Sequence, residues 1–357
     1  MIKKDIVYIG EQKAKDIRIW GLPFHFDKNK PVSLEEKYAN AILERGKIFS
    51  EVNALFKIRL LKKNKINKKI NILITRSLGG LGDVLMNTPV FRAIKENIKN
   101  VYLTYACLNE FIPLIENNPY LDNYMVYDRS KINSDTYDII IDVTRCCAKY
   151  EVSRKPKVDL HRSDIYLKQT GFSVSNKLPY YKVTSQERKK AKQFIGKRKV
   201  IGFQLHSNGA IRDWDLSKYK ELAKMITDKW KNLSIILFDV DNNLVFDGTR
   251  IIHFIGKPIR EVAALIEQCK VFVSVDSGLM HLAGALSVPQ VTMFGNIDAL
   301  CRTKYYLNTK VIQLKGQIPC IPCWMNDCPS RACMKNITAI MVMEKLEDII
   351  DGKLREL

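Results

Sequence analysis

A strand–helix rhythm that runs twice along the chain constrains the fold more than any other feature. Ile72 to Thr75 is a strand-like run, a glycine turn at Gly79 to Asp83 opens a helix through Ile98, and Val101 to Tyr105 and Ile139 to Val143 supply further strands. The rhythm restarts at Lys199, with a strand to Leu205, a helix over Ser217 to Trp230, a strand over Ser234 to Phe238 and a helix over Pro258 to Cys269. It closes on VFVSVDSGLMHLAGALSVPQVTMFG, residues 271–295. There a strand to Val275 meets the turn Asp276-Ser277-Gly278, a short helix over Leu279 to Leu286, a stop at Pro289 and another strand. Such alternation predicts parallel sheets covered by helices on both faces. The expected architecture is α/β: two doubly wound domains facing a cleft, linked through Gly171 to Glu187, with a small N-terminal α+β extension.

At 357 residues, 46% apolar and 27% charged, the chain can bury two full cores. Residues 1–56 read as an accessory or docking module, with strands at Ile6 to Ile9 and Ile17 to Trp20 and a helix from Ser33 to about Phe49 opened by a Ser33/Glu36 capping box. A basic linker at 57–69 leads into a first domain at 70–183 and a second at 184–357. The net charge of +20 arises from 58 Lys and Arg against 38 Asp and Glu, and its densest blocks are KIRLLKKNKINKK (57–69) and ERKKAKQFIGKRK (187–199). These are solvated faces or a contact with an anionic membrane leaflet, and the sequence leaves both open. Nucleic acid is not expected, because no recognition motif accompanies the charge. The opening MIKKDIVYIGEQK lacks the apolar run of a secretory signal, and no window reaches the length of a membrane span. A cytoplasmic protein, with peripheral contact at the inner face of the membrane, is the expectation.

Three stretches carry chemistry. In Arg76-Ser-Leu-Gly-Gly-Leu-Gly-Asp83 the glycines, Gly80 and Gly82 among them, let backbone approach a ligand at a helix start that favours negative charge. The spacing is neither a dinucleotide fingerprint nor a P-loop. Asp83 is either a helix N-cap or a carboxylate held at the cleft as a general base. In the second stretch, Ser207, Asn208 and Gly209 can wrap an oxygen-rich ligand with Arg212 as a fixed positive charge, although Ser-Asn-Gly is also plain turn chemistry. In the third, Ser277 and Gly278 offer backbone N–H groups to an anion, with His281 one turn further on as either a phosphate donor or a packing residue.

Together, Arg76...Gly79-Gly80-Leu81-Gly82-Asp83...Thr88-Pro89, the Arg212...Trp214 loop and Asp276-Ser277-Gly278-Leu279-Met280-His281-Leu282-Ala283 resemble glycosyltransferase family 9, the heptosyltransferases, over about residues 70 to 350. The resemblance implies a GT-B architecture: two Rossmann-like domains, acceptor on the first and nucleotide-sugar donor on the second. It also implies inversion at the anomeric carbon and no catalytic cofactor. Asp83 matches the family's base, while Asp276, Ser277, Gly278 and His281 match its donor site. Arg212 stands where the family usually carries a lysine. The implied donor is ADP-heptose, and the acceptor is a hydroxyl on a surface glycan, a lipopolysaccharide core or a protein. Leu237 to Asn242, with Asp239 and Asp241, and Asn296-Ile297-Asp298 depart from the family pattern at the donor site. A non-catalytic binding or anchoring protein on the same scaffold is the alternative.

Nine cysteines do not suggest a disulfide framework in this setting. Cys320, Cys323, Cys328 and Cys333 are spaced closely enough to close one structural Zn or Fe site, against a reading as unliganded thiols. The run resembles a cluster in a subset of the family that includes enzymes modifying autotransporter proteins, where it binds iron. Cys107, Cys146, Cys147, Cys269 and Cys301 read as ordinary buried residues.

Overall fold

The structure is a computed structural model that describes residues 3–8, 14–19, 22–27, 31–35, 49–51, 69–240, 246 and 248–352. The chain divides into two units, Met1–Lys68 and Lys69–Leu357. In the first unit β1 (Lys3–Tyr8), β2 (Ala14–Ile19), β3 (Leu22–Asp27), β4 (Pro31–Glu35) and β5 (Phe49–Glu51) form a three-stranded antiparallel sheet, β4-β1-β5, and a β2-β3 hairpin. The helix expected from Ser33 is corrected at both ends. Ser33 pairs with Asp5 inside β4, and Phe49 opens β5. Ser33 lies on a segment opened by Pro31, and Val32 and Leu34 alternate in it as well as they would on a helix face. The rest of that helix, residues 36–48, and most of the basic linker lie outside the described residues.

The second unit opens with β6 (Ile70–Thr75), α1 (Leu81–Asn97), β7 (Val101–Cys107), β8 (Asn123–Val126), β9 (Ile139–Asp142), α2 (Cys146–Arg154) and α3 (Arg162–Thr170). The four strands are all parallel in the order β8-β7-β6-β9. After a segment without helix or strand come α4 (Ser185–Ile195), β10 (Lys199–Gln204), α5 (Leu216–Lys229), β11 (Leu233–Asp239), β12 (Ile251–Ile255), α6 (Ile259–Ile266), β13 (Val271–Val275), α7 (Gly278–Ala285), β14 (Gln290–Met293), α8 (Leu300–Thr303), β15 (Thr309–Ile312), α9 (Ala332–Lys335) and α10 (Ala339–Ile350). Here six parallel strands run β12-β11-β10-β13-β14-β15. Both sheets follow the doubly wound order in which the chain starts at the centre and reverses direction across it. Two Rossmann-like lobes are therefore present, as the rhythm implied.

The central strands β6, β7, β10, β11, β13 and β14 are almost wholly buried, as befits sheets covered on both faces, whereas the edge strands β8 and β15 are partly polar and more exposed. Val271, Val273 and Val275 of β13 join one core with Tyr219 and Leu222 of α5 and Val342 and Leu346 of α10. Met280 of α7 packs elsewhere, with Phe294 and Tyr306. Gly202 in β10 faces Phe272, Phe238 and Cys269, which leave no room for a side chain.

Helix α1 contains Pro89, which has no N–H for the carbonyl of Leu85. The hydroxyl of Thr88 donates to that carbonyl instead, at 2.7 Å. The same hydroxyl accepts the N–H of Tyr180 at 2.7 Å. Arg92 donates to the carbonyls of Asn176 and Leu178, and Asn97 to that of Ser173. The link between the lobes is thus fastened to α1 at Thr88, Arg92 and Asn97. Among the described residues no helix is long and apolar enough to cross a membrane.

Candidate active site

In open α/β sheets, ligands bind beyond the carboxyl ends of strands where the winding reverses. The reversals fall between β6 and β9 and between β10 and β13. All three stretches singled out from the sequence leave those strands at their carboxyl ends: Arg76 to Asp83 after β6, His206 to Arg212 after β10, and Asp276 to His281 after β13.

Gly80, not Asp83, caps α1. Asp83 is the third residue of the helix and closes back on the cap by accepting the Gly80 N–H at 3.1 Å. Its carboxylate is held from several sides. Arg76 lies 3.0 Å away through Nη2 and Oδ2, Arg162 of α3 donates from Nη1 to Oδ1 at 2.5 Å, and the hydroxyl of Tyr166 donates to Oδ1 at 3.3 Å. Burial by itself would raise the Asp83 carboxyl, but Arg162, Arg76 and the Gly80 N–H overcome it and hold the group well below the usual carboxylate range. Asp83 is ionised at any physiological pH.

Gly79 and Gly82 serve contacts within the protein, whereas nothing lies within 4 Å of where a side chain on Gly80 would stand. Gly79 has φ +112° and faces the Arg76 guanidinium, so a side chain is excluded on both counts. Gly82 lies against the imidazole of His281, and Gly278 against Leu81, where an added Cβ would come within 3.0 Å of the Leu81 Cβ. The first turns of α1 and α7, one from each lobe, are therefore in direct contact.

On the second lobe Ser277 caps α7, accepting the Met280 N–H at 3.3 Å and donating to the side-chain carbonyl of Gln204. His281 is buried, with Nδ1 2.6 Å from the Tyr306 hydroxyl. Burial, then the charges of Arg302, His161 and Arg162, push the imidazole well below its ordinary range, so it is neutral. Asp276 is also buried and pairs with Arg212 at 3.5 Å. Ser207 organises its own loop, donating to Asp213 and to the Gly209 carbonyl, while Asn208 is exposed. Of the two aspartates at the end of β11, Asp239 accepts His206 Nδ1 at 2.7 Å, and Asp241 and Asn242 lie outside the described residues. Asn296 is buried and bonds the carbonyl of Met325, and Asp298 is paired with Lys315.

Sequence reasoning missed a second ring of charge around Asp83. Glu151 of α2 holds Arg162 through two parallel bonds, Nε to Oε1 at 2.7 Å and Nη2 to Oε2 at 2.8 Å. Arg302 of α8, from the other lobe, reaches the same carboxylate at 3.0 Å, with both side chains under a tenth exposed. No local motif surrounds these residues, and only the fold brings them together.

A cavity of about 270 Å³ lies on the first lobe beyond the carboxyl ends of β6 and β9. Ser77, Asp142 and Thr144 line it together with Arg129, Arg145 and Lys149. A second, of about 820 Å³, separates Lys155 to Asp159 from Asp298, Lys315 and the loop from Pro319 to Cys323. Beside it Trp324 crosses the seam between the lobes, packing with Val158 and Cys301 and donating from its indole N–H to the Pro156 carbonyl at 3.2 Å.

The four clustered cysteines grade from exposed Cys320 to buried Cys333. Burial, then the charges of Cys323, Cys320 and Cys328, raise the Cys333 thiol. Among the described residues, however, no group of three or more His, Cys, Asp or Glu stands in an arrangement that could hold a metal ion. The expected convergence on one centre is not present in this structure. Of the other five, Cys107, Cys147, Cys269 and Cys301 are buried as expected and Cys146 is half-buried.

Two parallel α/β lobes that meet at the helix starts beyond their switch points define a fold of the GT-B type. A family model described as glycosyltransferase family 9 (heptosyltransferase) matches residues 149–333. The chain belongs to glycosyltransferase family 9 and is a glycosyltransferase. It is 22% identical over 313 residues to lipooligosaccharide heptosyltransferase 2 of Campylobacter jejuni, covering 75% of this chain and 96% of that one. Its fold is similar to the glycosyl transferase family 9 of Veillonella parvula, with a TM-score of 0.65 at 18% identity over 79% of this chain and 97% of that one. It is also similar to the dodecameric iron-containing heptosyltransferase TibC of E. coli in complex with ADP-D-β-D-heptose. That match has a TM-score of 0.63 at 14% identity and covers 98% of this chain and 92% of that one.

Proposed function

We propose that the protein transfers a heptose from ADP-heptose to a hydroxyl acceptor with inversion at the anomeric carbon, and that Asp83 takes the acceptor's proton. The observation that carries this reading is an ionised Asp83 at a switch point of the first lobe, with the first turn of α7 of the second lobe in contact beside it. As the acceptor oxygen bonds to the anomeric carbon, its proton passes to Asp83. The bond from that carbon to the diphosphate oxygen breaks, and ADP leaves with the electron pair. Negative charge then grows on the diphosphate, where the N-terminal amides of α7 at Ser277 and Gly278 and the guanidinium of Arg212 stabilise it. Gly80, Ser207 and Asn208 complete the donor's surroundings, and Gly82 and neutral His281 fix how closely the two helix starts approach.

The acceptor belongs in the cavity beside Ser77, where Arg129, Arg145 and Lys149 favour a sugar bearing a carboxylate or phosphate. A lipopolysaccharide core fits this chemistry, ahead of other surface glycans and protein hydroxyls. Exposed Lys189, Lys190 and Lys192 on α4, with half-exposed Phe194, suit peripheral contact with an anionic leaflet from the cytoplasmic side. The thiols of Cys320, Cys323, Cys328 and Cys333 have the donor chemistry of a structural Zn or Fe centre, and the iron in TibC supports that assignment. Metal analysis of anaerobically purified protein tests it, and protein without stoichiometric metal refutes it.

The function is tested by ADP release from ADP-heptose in the presence of a lipooligosaccharide acceptor. Wild type releases ADP, whereas Asp83→Asn binds ADP normally and turns over at least about 100-fold more slowly. An Asp83→Asn variant with wild-type turnover overturns the assignment of the base. Absence of any ADP release in wild type overturns the donor.

A further inference from the structure

The Asp83 carboxylate has room for about four hydrogen bonds, and in this structure it accepts three, from Arg162 and Tyr166 on Oδ1 and from the Gly80 N–H on Oδ2, while the Arg76 guanidinium crowds Oδ2 as an ion pair at 3.0 Å. Both positions on Oδ1 are taken and Oδ2 is crowded by Arg76, so a hydroxyl that is to pass its proton to this carboxylate must first displace a neighbour. Arg76 is buried beside Asp83 and also donates to the Val143 carbonyl, and the Gly80 N–H is fixed by the helix cap. The replaceable donors are those on Oδ1. Arg162 is the stronger of the two, and a free guanidinium displaced from a carboxylate would swing into the space that the acceptor needs.

We propose that Glu151 is a positioning residue for the transfer reaction. It anchors Arg162 so that an acceptor hydroxyl can take the place of Arg162 Nη1 on Asp83 while the guanidinium stays seated. This rests on the reading of Asp83 as the base. Arg162 meets Glu151 through Nε and Nη2 and Asp83 through Nη1, so the two carboxylates engage different nitrogens and one bond can open while the other two hold. Such bidentate pairing fixes the plane of the guanidinium as well as its position. Arg302 adds the second lobe: its ion pair with Glu151 at 3.0 Å keeps the anchor in line only while α8 is docked. Arg302 is itself tied down, with its own carbonyl 3.1 Å from His161 Nε2 and its guanidinium over the ring of Trp324. The base is therefore set in order by a chain of charges that begins on the donor lobe.

Glu151→Gln keeps the shape and removes the charge. With the full-length protein, ADP-heptose and a lipooligosaccharide acceptor, it is expected to lower kcat about 10-fold or more, with KM for the nucleotide sugar and Kd for ADP within about twofold of wild type. Arg302→Met is expected to lower kcat less, and the double variant to fall no further than Glu151→Gln alone, because both act through one contact. Wild-type kcat in Glu151→Gln, multiplicative losses in the double variant, or parallel loss of kcat and ADP affinity overturns the inference. Asp83→Asn is measured alongside. If it is inactive while Glu151→Gln is fully active, only the role of Glu151 fails. If it is active, the underlying assignment of the base fails.

Discussion

The backbone of Gly82 and the imidazole of His281 are in direct contact, the first turn of α1 against the first turn of α7. Each belongs to a different lobe, and the contact sets the separation between the carboxylate of Asp83 and the amides at the start of α7.

Replacing Gly82 by alanine puts a methyl group into the His281 ring, whose Cγ and Nε2 would each lie 3.2 Å from it. His281 is held by Tyr306 and has little freedom to yield. Gly82→Ala is expected to cost about 1–3 kcal/mol of stability, as overpacking does, and to reduce turnover through displacement of α1. Urea unfolding and ADP release measured on the same preparation check both effects.

Trp324 follows Cys323 directly and fills the seam with Val158 and Cys301. Trp324→Ala removes this packing and the indole bond to Pro156. A loss of about 3–5 kcal/mol is expected, in the range for large aromatic truncations. Trp324→Phe retains most of the apolar volume and is expected to lose less than half as much. Thermal unfolding of the two variants separates packing from the hydrogen bond.

Glu187 caps α4 at Thr184 and pairs with Arg260 through both oxygens, while Arg260 also reaches the Pro113 carbonyl of the first lobe. The bond from Arg260, against an opposing burial effect and with help from Thr184, lowers the Glu187 carboxyl from 4.5 to about 2. Because the folded value is depressed, its contribution is complete above pH 4.5 and is lost as pH falls toward 2. Across that window the urea midpoint of wild type should fall more steeply than that of Glu187→Gln. Equal slopes would show that the pair does not contribute.

Much of this arrangement is legible in the chain because it is local. Val271 to Val275 followed by Asp276-Ser277-Gly278 announces strand, cap and helix within a few residues, and Gly79 to Asp83 does the same for α1. The strands β8, β12 and β15 were not anticipated, being short and only partly apolar. Ser33 shows the limit of local pattern: a capping-box spacing and a pairing strand share the same residues, and β1 decides between them. Glycines 79 and 82 are legible as positions of close approach, but what approaches them is Arg76 and His281. Glu151, Arg162 and Arg302 carry no signature, since a charge in a helix reads as solvated until the fold places it opposite another.

Helix α1 spans 17 residues, a rod of about 25 Å at the usual rise. Its first turn presents Asp83, and its remaining length is bolted through Thr88, Arg92 and Asn97 to the segment that joins the lobes. The link between the lobes and Asp83 therefore share one stiff lever. A rotation of one lobe against the other would have to tilt that lever or break those bonds, so the angle between the lobes and the position of the Asp83 carboxylate are geared to each other.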